Sequence, residues 1–311
     1  MGVNATGLGL LALARASGAD FSRVVTIGRQ SLSLSPDDLA HFFTSRGRAD
    51  IAEALMANPG DGYCEQVLKL AFGARTTQSI DASDYEQAGL VHDMNTPLTP
   101  AETYSVVMDF GTLEHVFNVP VAFDNVAALA SPGGWILHML PGNNLAGHGF
   151  YQFSPELFFQ IYAPERGYEG TRVFAAPEST MSTWYEVTAP RDLKKRVDIT
   201  SRDQVYLLVL TRKVGEPTPL TQRPVQQSDY VALWSNEPRR AARSTRKSAF
   251  ARAVQELLMP LRHRAKVARK DVAGPRADMR ARRVRDLTPM PALTLAPIES
   301  APTTVGAASV A

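Results

Sequence analysis

The chain has 311 residues, of which 44% are hydrophobic and 21% charged, with a formal net charge of +2. That is enough apolar material for one sizeable core, or one core plus an appendage, and it excludes a wholly disordered chain. The single cysteine, Cys64, rules out an internal disulfide, so a reducing compartment fits; no run of about 18 apolar residues suggests a membrane span.

Residues 5–18 read as the first helix, with Leu8, Leu11 and Leu13 on or near an apolar side. The "ARA" at 14–16 mimics a signal-peptide cleavage site. No positive residue precedes its short apolar run, so an amphipathic helix is expected instead. "MGVNAT" matches the N-myristoylation pattern, which acts only in a eukaryotic host. Residues 24–28 are continuous, β-branched and glycine-terminated, which predicts a short buried strand. "SPDDLAHFF" carries a helix start, with Ser35 as N-cap, Pro36 at the first position and acids in the first turn. A second helix follows in "RADIAEALMANPGDG", and "CEQVLKLAFGA" is a short third with a glycine stop.

Strands are then expected in "TQSIDASDYEQ", ending at Asp81, in "AGLVHDMN", ending near Asp93, and in "TYSVVMDF", running through Met108. "NVPVAFDNVAALASPGG" reads as a helix closed by a Pro-Gly-Gly turn, and "WILHMLPGNN" as the next strand. "SPELFFQIYAPERGY" is a Ser-capped helix, and three more strands lie in "EGTRVFAA", "TWYEVTA" and "QVYLLVLTRKV". Alternating strands and helices predict an α/β layer fold with a mostly parallel sheet and helices on both faces.

After residue 213 the composition changes. Residues 214–228 are rich in Pro and Gln and read as a linker. Between Glu237 and Asp286 there are 16 Lys or Arg against 5 Asp or Glu, a local charge of +11 that leaves about −9 elsewhere. Residues 229–286 are therefore expected to form a basic helical extension. Its Phe250, Val254, Leu257, Leu258 and Leu261 share one side, which suits packing on the main domain or an anionic membrane surface better than nucleic acid. Residues 287–311 read as a disordered tail.

In open parallel sheets, ligands sit beyond the carboxyl ends of the strands. Here those ends offer Gly28, Asp81, Asp93 and Asp109, then the loop Pro141–Tyr151. A carboxylate closing the second strand can accept both hydroxyl hydrogens of a ribose. One closing the third can accept from an adenine amino group, and a glycine closing the first lets backbone approach the ligand.

The string from "SIDASDYEQAGLVHDMN" through "YSVVMDFGTLEHVFNVPVAFDNVAALASPGGWILHML" resembles the class I S-adenosylmethionine-dependent methyltransferases. The resemblance spans roughly residues 20–213 and implies a Rossmann-like domain over 1–213. Asp81, Asp93, Asp109, Glu114-His115 and Pro132-Gly133-Gly134 fall at matching places. The family's glycine-rich first motif is degenerate here: Thr26 stands for the usual acid and Gln30 for the second glycine. About 50 residues separate strands one and two against a usual ~20 in such units, so residues 35–75 read as a helical insertion.

The resemblance implies S-adenosylmethionine as cofactor, with Gly28, Gln30, Asp81, Asp93, Asp109 and Phe110 lining its site. Methyl transfer is an in-line displacement, and the protein mainly holds the nucleophile near the methyl group. A hydroxyl acceptor needs a general base, for which His148 and His115 are candidates. Asn143, Asn144 and Tyr151 are expected to face a small-molecule or sugar-linked acceptor undergoing O-methylation. No metal site is expected. The location expected is the bacterial cytoplasm, with contact to the inner membrane face through 237–286. Two other readings stay open: a non-catalytic binding module of the same fold, and a peripheral membrane protein acting through its basic extension.

Overall fold

The computed structural model describes residues 2–180, 183–193, 196, 197, 199, 201–235 and 287–289. Helix α1 (Ala5–Ala16) begins at Asn4, whose side chain accepts a hydrogen bond from Gly7 N at 2.9 Å. Thr6 through Ala14 are all buried, so the expected amphipathic helix is enclosed on every side. The glycines are part of the reason. A Cβ on Gly7 would lie 3.0 Å from the Phe110 ring, so only a bare backbone lets α1 settle that close.

Strands β1 (Gly2–Val3) and β3 (Ser31–Leu32) pair in parallel as a small separate ribbon flanking β2 (Arg23–Ile27). The segment after β3 folds as α2 (Pro36–Thr44), α3 (Ala49–Ala57) and α4 (Glu65–Phe72). Ser35 caps α2 by accepting from Asp38 N, and Gly73 stops α4 in the left-handed region at φ +77°. The chain continues through β4 (Thr76–Asp81), β5 (Leu90–Val91), β6 (Tyr104–Asp109), α5 (Val119–Leu129) and β7 (Ala130–Asn143). It closes with α6 (Pro155–Ile161), β8 (Tyr168–Pro177), β9 (Tyr185–Val187), α7 (Pro190–Leu193), β10 (Val205–Lys213), α8 (Ser228–Ser235) and β11 (Leu287–Pro289).

The main sheet runs β11-β9-β8-β10-β7-β6-β2-β4-β5. Pairings from β5 to β7 are parallel, and those from β7 outward to β11 are antiparallel. This is the Rossmann-like sheet anticipated, with a longer antiparallel half than "mostly parallel" implies. Alternation along the strands sorts the core into two layers. Val24, Val106, Met108 and Leu137 join α1 to α4 on one face, while Val25, Ile27, Val107 and Ile136 join α5 and α6 on the other. Each fully buried side chain of this kind contributes about 1.5–3 kcal/mol.

Four expectations change. The strand expected to end near Asp93 is only two residues long and stops at Val91. Pro132-Gly133-Gly134 does not separate helix from strand but lies inside β7. There the register jumps from Tyr104–Ala130 to Val106–Trp135, a bulge whose extra residues are held by Ser131 Oγ donating to Tyr104 O. The linker is pinned to the domain: Leu220 N donates to Asp124, and buried Arg166 donates to the carbonyls of Thr218 and Arg223. The tail expected to be disordered contributes Leu287–Pro289 as an edge strand against β9. Of the basic extension, residues 236–286 lie outside the described residues, as do 290–311.

Candidate cofactor and acceptor site

The strand order reverses between β2 and β6, which puts the switch crevice at their carboxyl ends. Ile27 registers with Ile80 on one side and Asp109 on the other. Gly28 therefore stands at the centre of the rim, its N–H bonded to Ile80 O at 2.6 Å. Its φ of +72° is a left-handed conformation that favours glycine. A Cβ there would sit 2.6 Å from Thr112 Oγ1, which itself donates to Ile27 O. Gly28 thus permits close approach on the side where Thr112 stands.

The degenerate loop is held from inside. The Gln30 side chain is buried and its amide donates to Ile27 O at 2.6 Å, filling the space that a glycine would leave. Gln30 was expected at the cofactor; instead its side chain staples the loop. Arg29 stacks on Tyr63, with Cζ 3.8 Å from the ring centroid, and donates to Glu65, Asp61 and the Glu86 carbonyl. The helical insertion therefore clamps the loop through Asp61, Tyr63 and Glu65.

Of the three rim carboxylates, Asp81 has few partners within the described residues. It is half-buried, accepts from Ala82 N at 2.7 Å and only distantly from Arg29 N at 3.4 Å, and retains acceptor capacity toward the rim. Asp93 is exposed, and its Oδ1 accepts from both Asn95 N and Asn95 Nδ2, forming a local turn. Those bonds hold its carboxyl below the usual range. Asp109 does not face a ligand. It is fully buried, with Oδ1 accepting from Thr112 N and Leu113 N and Oδ2 2.9 Å from His138 Nδ1. Phe110 is likewise a core residue packed on α1.

Beyond β6, the 3-10 turn Leu113–His115 faces the loop that follows β7. This brings together residues remote in sequence. Glu114 is fully buried; His148 Nε2 lies 3.3 Å and His115 Nε2 3.8 Å from its Oε1. The two imidazole rings are 5.0 Å apart, edge to face. Burial, helped by the Asp109 charge, pushes the Glu114 carboxyl up to about 8, and burial beside His148 pushes His115 down. The loop is clamped onto Glu114: Phe150 N and Tyr151 N both donate to Glu114 O. At Gly149, φ is +74° and a Cβ would lie 2.8 Å from Glu114 Cγ, so this contact needs glycine.

Asn144, expected at the acceptor, instead closes the loop base in the left-handed region, donating to the carbonyls of Ser201 and Asp203. Asn143 is half-buried at the end of β7, paired with Val205. Tyr151 donates its hydroxyl to Phe117 O and stacks on Phe153. Phe117 and Phe150, exposed and packed edge to face at 6.0 Å, form an aromatic lip beside the histidines. The sequence reading passed over Phe117 and His138, and placed Glu114 only as part of the Glu114-His115 match, without a role for its carboxylate. The "LEH" after a buried strand was the available signal for Glu114; nothing local marked His138.

A family model described as a methyltransferase domain matches residues 57–197, which begins after the Gly28 loop. Residues 57–197 thus match a methyltransferase domain over a little under half of the chain, in keeping with the resemblance read from the sequence. Among curated proteins none matches the chain. Solved structures similar to it include the N-methyltransferase NodS from Bradyrhizobium japonicum, at 15% identity and TM-score 0.36, covering 67% of this chain and 94% of that one. A possible histamine N-methyltransferase from Thermotoga maritima is 11% identical with TM-score 0.34, covering 68% and 91%. The magnesium protoporphyrin IX methyltransferase of Synechocystis is 11% identical with TM-score 0.33, covering 67% and 77%.

Proposed function

We propose that this protein transfers a methyl group to a hydroxyl oxygen of a small-molecule or sugar-linked acceptor. The observation that carries the reading is the grouping of Glu114, His115 and His148 on the same rim as Gly28 and Asp81, beside an exposed aromatic lip. The cofactor, when bound, supplies an electrophilic methyl group on a sulfonium. Asp81 has acceptor capacity for a ribose diol, and the Gly28–Arg29 backbone lies next to it. Asp93 stands further along the same edge, past β5.

Phe117 and Phe150 suit a planar or sugar ring laid against their faces. A hydroxyl held beside them lies near His148, whose imidazole is the group available to take its proton. Methylation then forms one O–C bond as one S–C bond breaks. The basic segment 237–286 supports a cytoplasmic location with contact to an anionic membrane face, which liposome flotation with and without that segment tests.

The test of the main reading is labelled methyl transfer from S-adenosylmethionine to a panel of phenolic, sugar and amine acceptors. Transfer to hydroxyls that drops at least tenfold in His148→Ala supports it. Transfer only to amines, or no binding of S-adenosylhomocysteine at millimolar concentration, overturns it.

A further inference from the structure

We infer that Glu114, His115 and His148 form a binding site for a divalent transition-metal cation. One carboxylate oxygen and two imidazole nitrogens all lie within 4.8 Å of one another. The Glu114 side chain has no exposure, and neither carboxylate oxygen takes a hydrogen bond within the described residues. A buried carboxylate without a donor is costly unless something positive meets it. Both neighbouring imidazoles turn Nε2 toward the same oxygen, His148 at 3.3 Å and His115 at 3.8 Å, yet His148 Nε2 makes no aligned hydrogen bond. Three groups that can each lend a lone pair thus converge, without the donor that would satisfy them.

A cation bonded at about 2.0–2.2 Å to each ligand leaves ligand atoms roughly 3.0–3.5 Å apart. The Glu114–His148 separation of 3.3 Å already lies in that range, while the exposed His115 side chain, 3.8 Å from the same oxygen, has to close in on both. The other two ligands are already fixed. His148 N bonds Leu145 O, Leu145 N bonds Gln152, and the Gly149 contact locks the loop on Glu114. Such a built frame is what a metal site needs to hold its geometry.

The donor set selects the ion. Two imidazoles and one carboxylate favour zinc, cobalt, nickel, iron or manganese over magnesium or calcium, which prefer oxygen alone. Three protein ligands with one exposed edge leave positions open toward the aromatic lip, as in catalytic rather than closed structural sites. If the methyl-transfer reading holds, an acceptor hydroxyl at the open edge would lose its proton to solvent more readily, and His148 would act as ligand instead of base. The binding claim itself does not depend on that reading.

The full-length protein is stripped with a chelator and titrated with Zn²⁺, Mn²⁺ and Mg²⁺ by calorimetry and thermal melt, and with Co²⁺ by visible absorption. Expected are one Zn²⁺ per chain, a rise in melting temperature, weaker Mg²⁺ binding, and Co²⁺ bands in the visible. His115→Ala and His148→Ala, whose side chains are not buried, should keep the metal-free melting temperature. Each should bind Zn²⁺ at least tenfold more weakly and lose the Co²⁺ bands. No stoichiometric binding by the unaltered protein, or unchanged binding by the double variant, overturns the inference. Undiminished methyl transfer under chelator, lost only on His148→Ala, also overturns the catalytic part and leaves His148 as the base.

Discussion

Asp109 Oδ2 lies 2.9 Å from His138 Nδ1, and neither side chain reaches solvent. The contact bridges β6 and β7 under the rim, and His138 Nε2 meets the Tyr162 hydroxyl at 2.6 Å on its other side. An imidazole donating from Nδ1 and accepting at Nε2 satisfies all three groups, with Tyr162 kept protonated by burial. This chain fastens α6 to the sheet. It explains why a rim aspartate that looks ready for a ligand is unavailable to one.

Asp109→Ala is therefore expected to destabilise the fold by about 3 kcal/mol or more, because it strands His138 Nδ1 and the Thr112 and Leu113 N–H groups at about 1–3 kcal/mol each. Tyr162→Phe should cost about 1–3 kcal/mol, since it strands Nε2. Urea unfolding measures both. A cost under about 0.5 kcal/mol for Asp109→Ala would return that residue to the list of ligand contacts.

Asp81→Ala behaves in the opposite way. Its side chain is partly exposed and makes few internal bonds, so the melting temperature should hardly change. S-adenosylhomocysteine affinity by calorimetry should fall by roughly tenfold or more, the value of a charge-assisted contact at about 1.5–3 kcal/mol. Unchanged affinity would remove Asp81 from the cofactor site.

Gly28→Ala places a Cβ 2.6 Å from Thr112 Oγ1 at a φ of +72°. The expected loss is about 1–3 kcal/mol from backbone strain, plus the clash. Combining it with Thr112→Ala relieves the clash and not the strain, so the double variant should be more stable than additivity predicts. Strict additivity in chemical denaturation would show that the two residues do not press on each other.

Metal-free protein should lose stability as pH rises. Glu114 has a folded pKa raised to about 8, above its unfolded value near 4.5. The native state then holds the extra proton between those limits, and its advantage is complete below about 4.5 and gone above about 8. Glu114→Gln should flatten this slope in melts between pH 5 and 8. A native protein that grows more stable across that window would contradict the burial of an unpartnered carboxyl.

Cys64 is buried at the head of α4, and burial pushes its thiol far up. It should resist a thiol-reactive chromophore at pH 8 in the native state and react fully in denaturant. Fast native labelling would mean that the insertion opens readily.

Much of the rim was legible in sequence because strand ends carry local marks. A β-branched run stopping at Gly28, and acids closing β4 and β6, are visible in a few residues each, and the helix start at Ser35 carries similar marks. The assignments that failed were those that depend on which way a side chain turns. Asp81 and Asp109 both close parallel strands, yet one faces the crevice and the other the core; the difference lies in His138, contributed by the adjacent strand. Gln30 and Asn144 failed alike, because each amide found backbone carbonyls that only folding brings within reach.

Hydrophobic periodicity and turn residues by themselves determined the order of elements and the α/β class, since both are set by contacts within a few residues of chain. The helical insertion and the change in charge after residue 213 were settled in the same way. Only the tertiary structure decided that Glu114, His115 and His148 meet. Two loops from neighbouring strand ends must first be folded against each other, and a glycine at 149 lets them close. Long-range proximity is a property of the packed sheet, so no local pattern could have encoded which histidine would find the buried carboxylate.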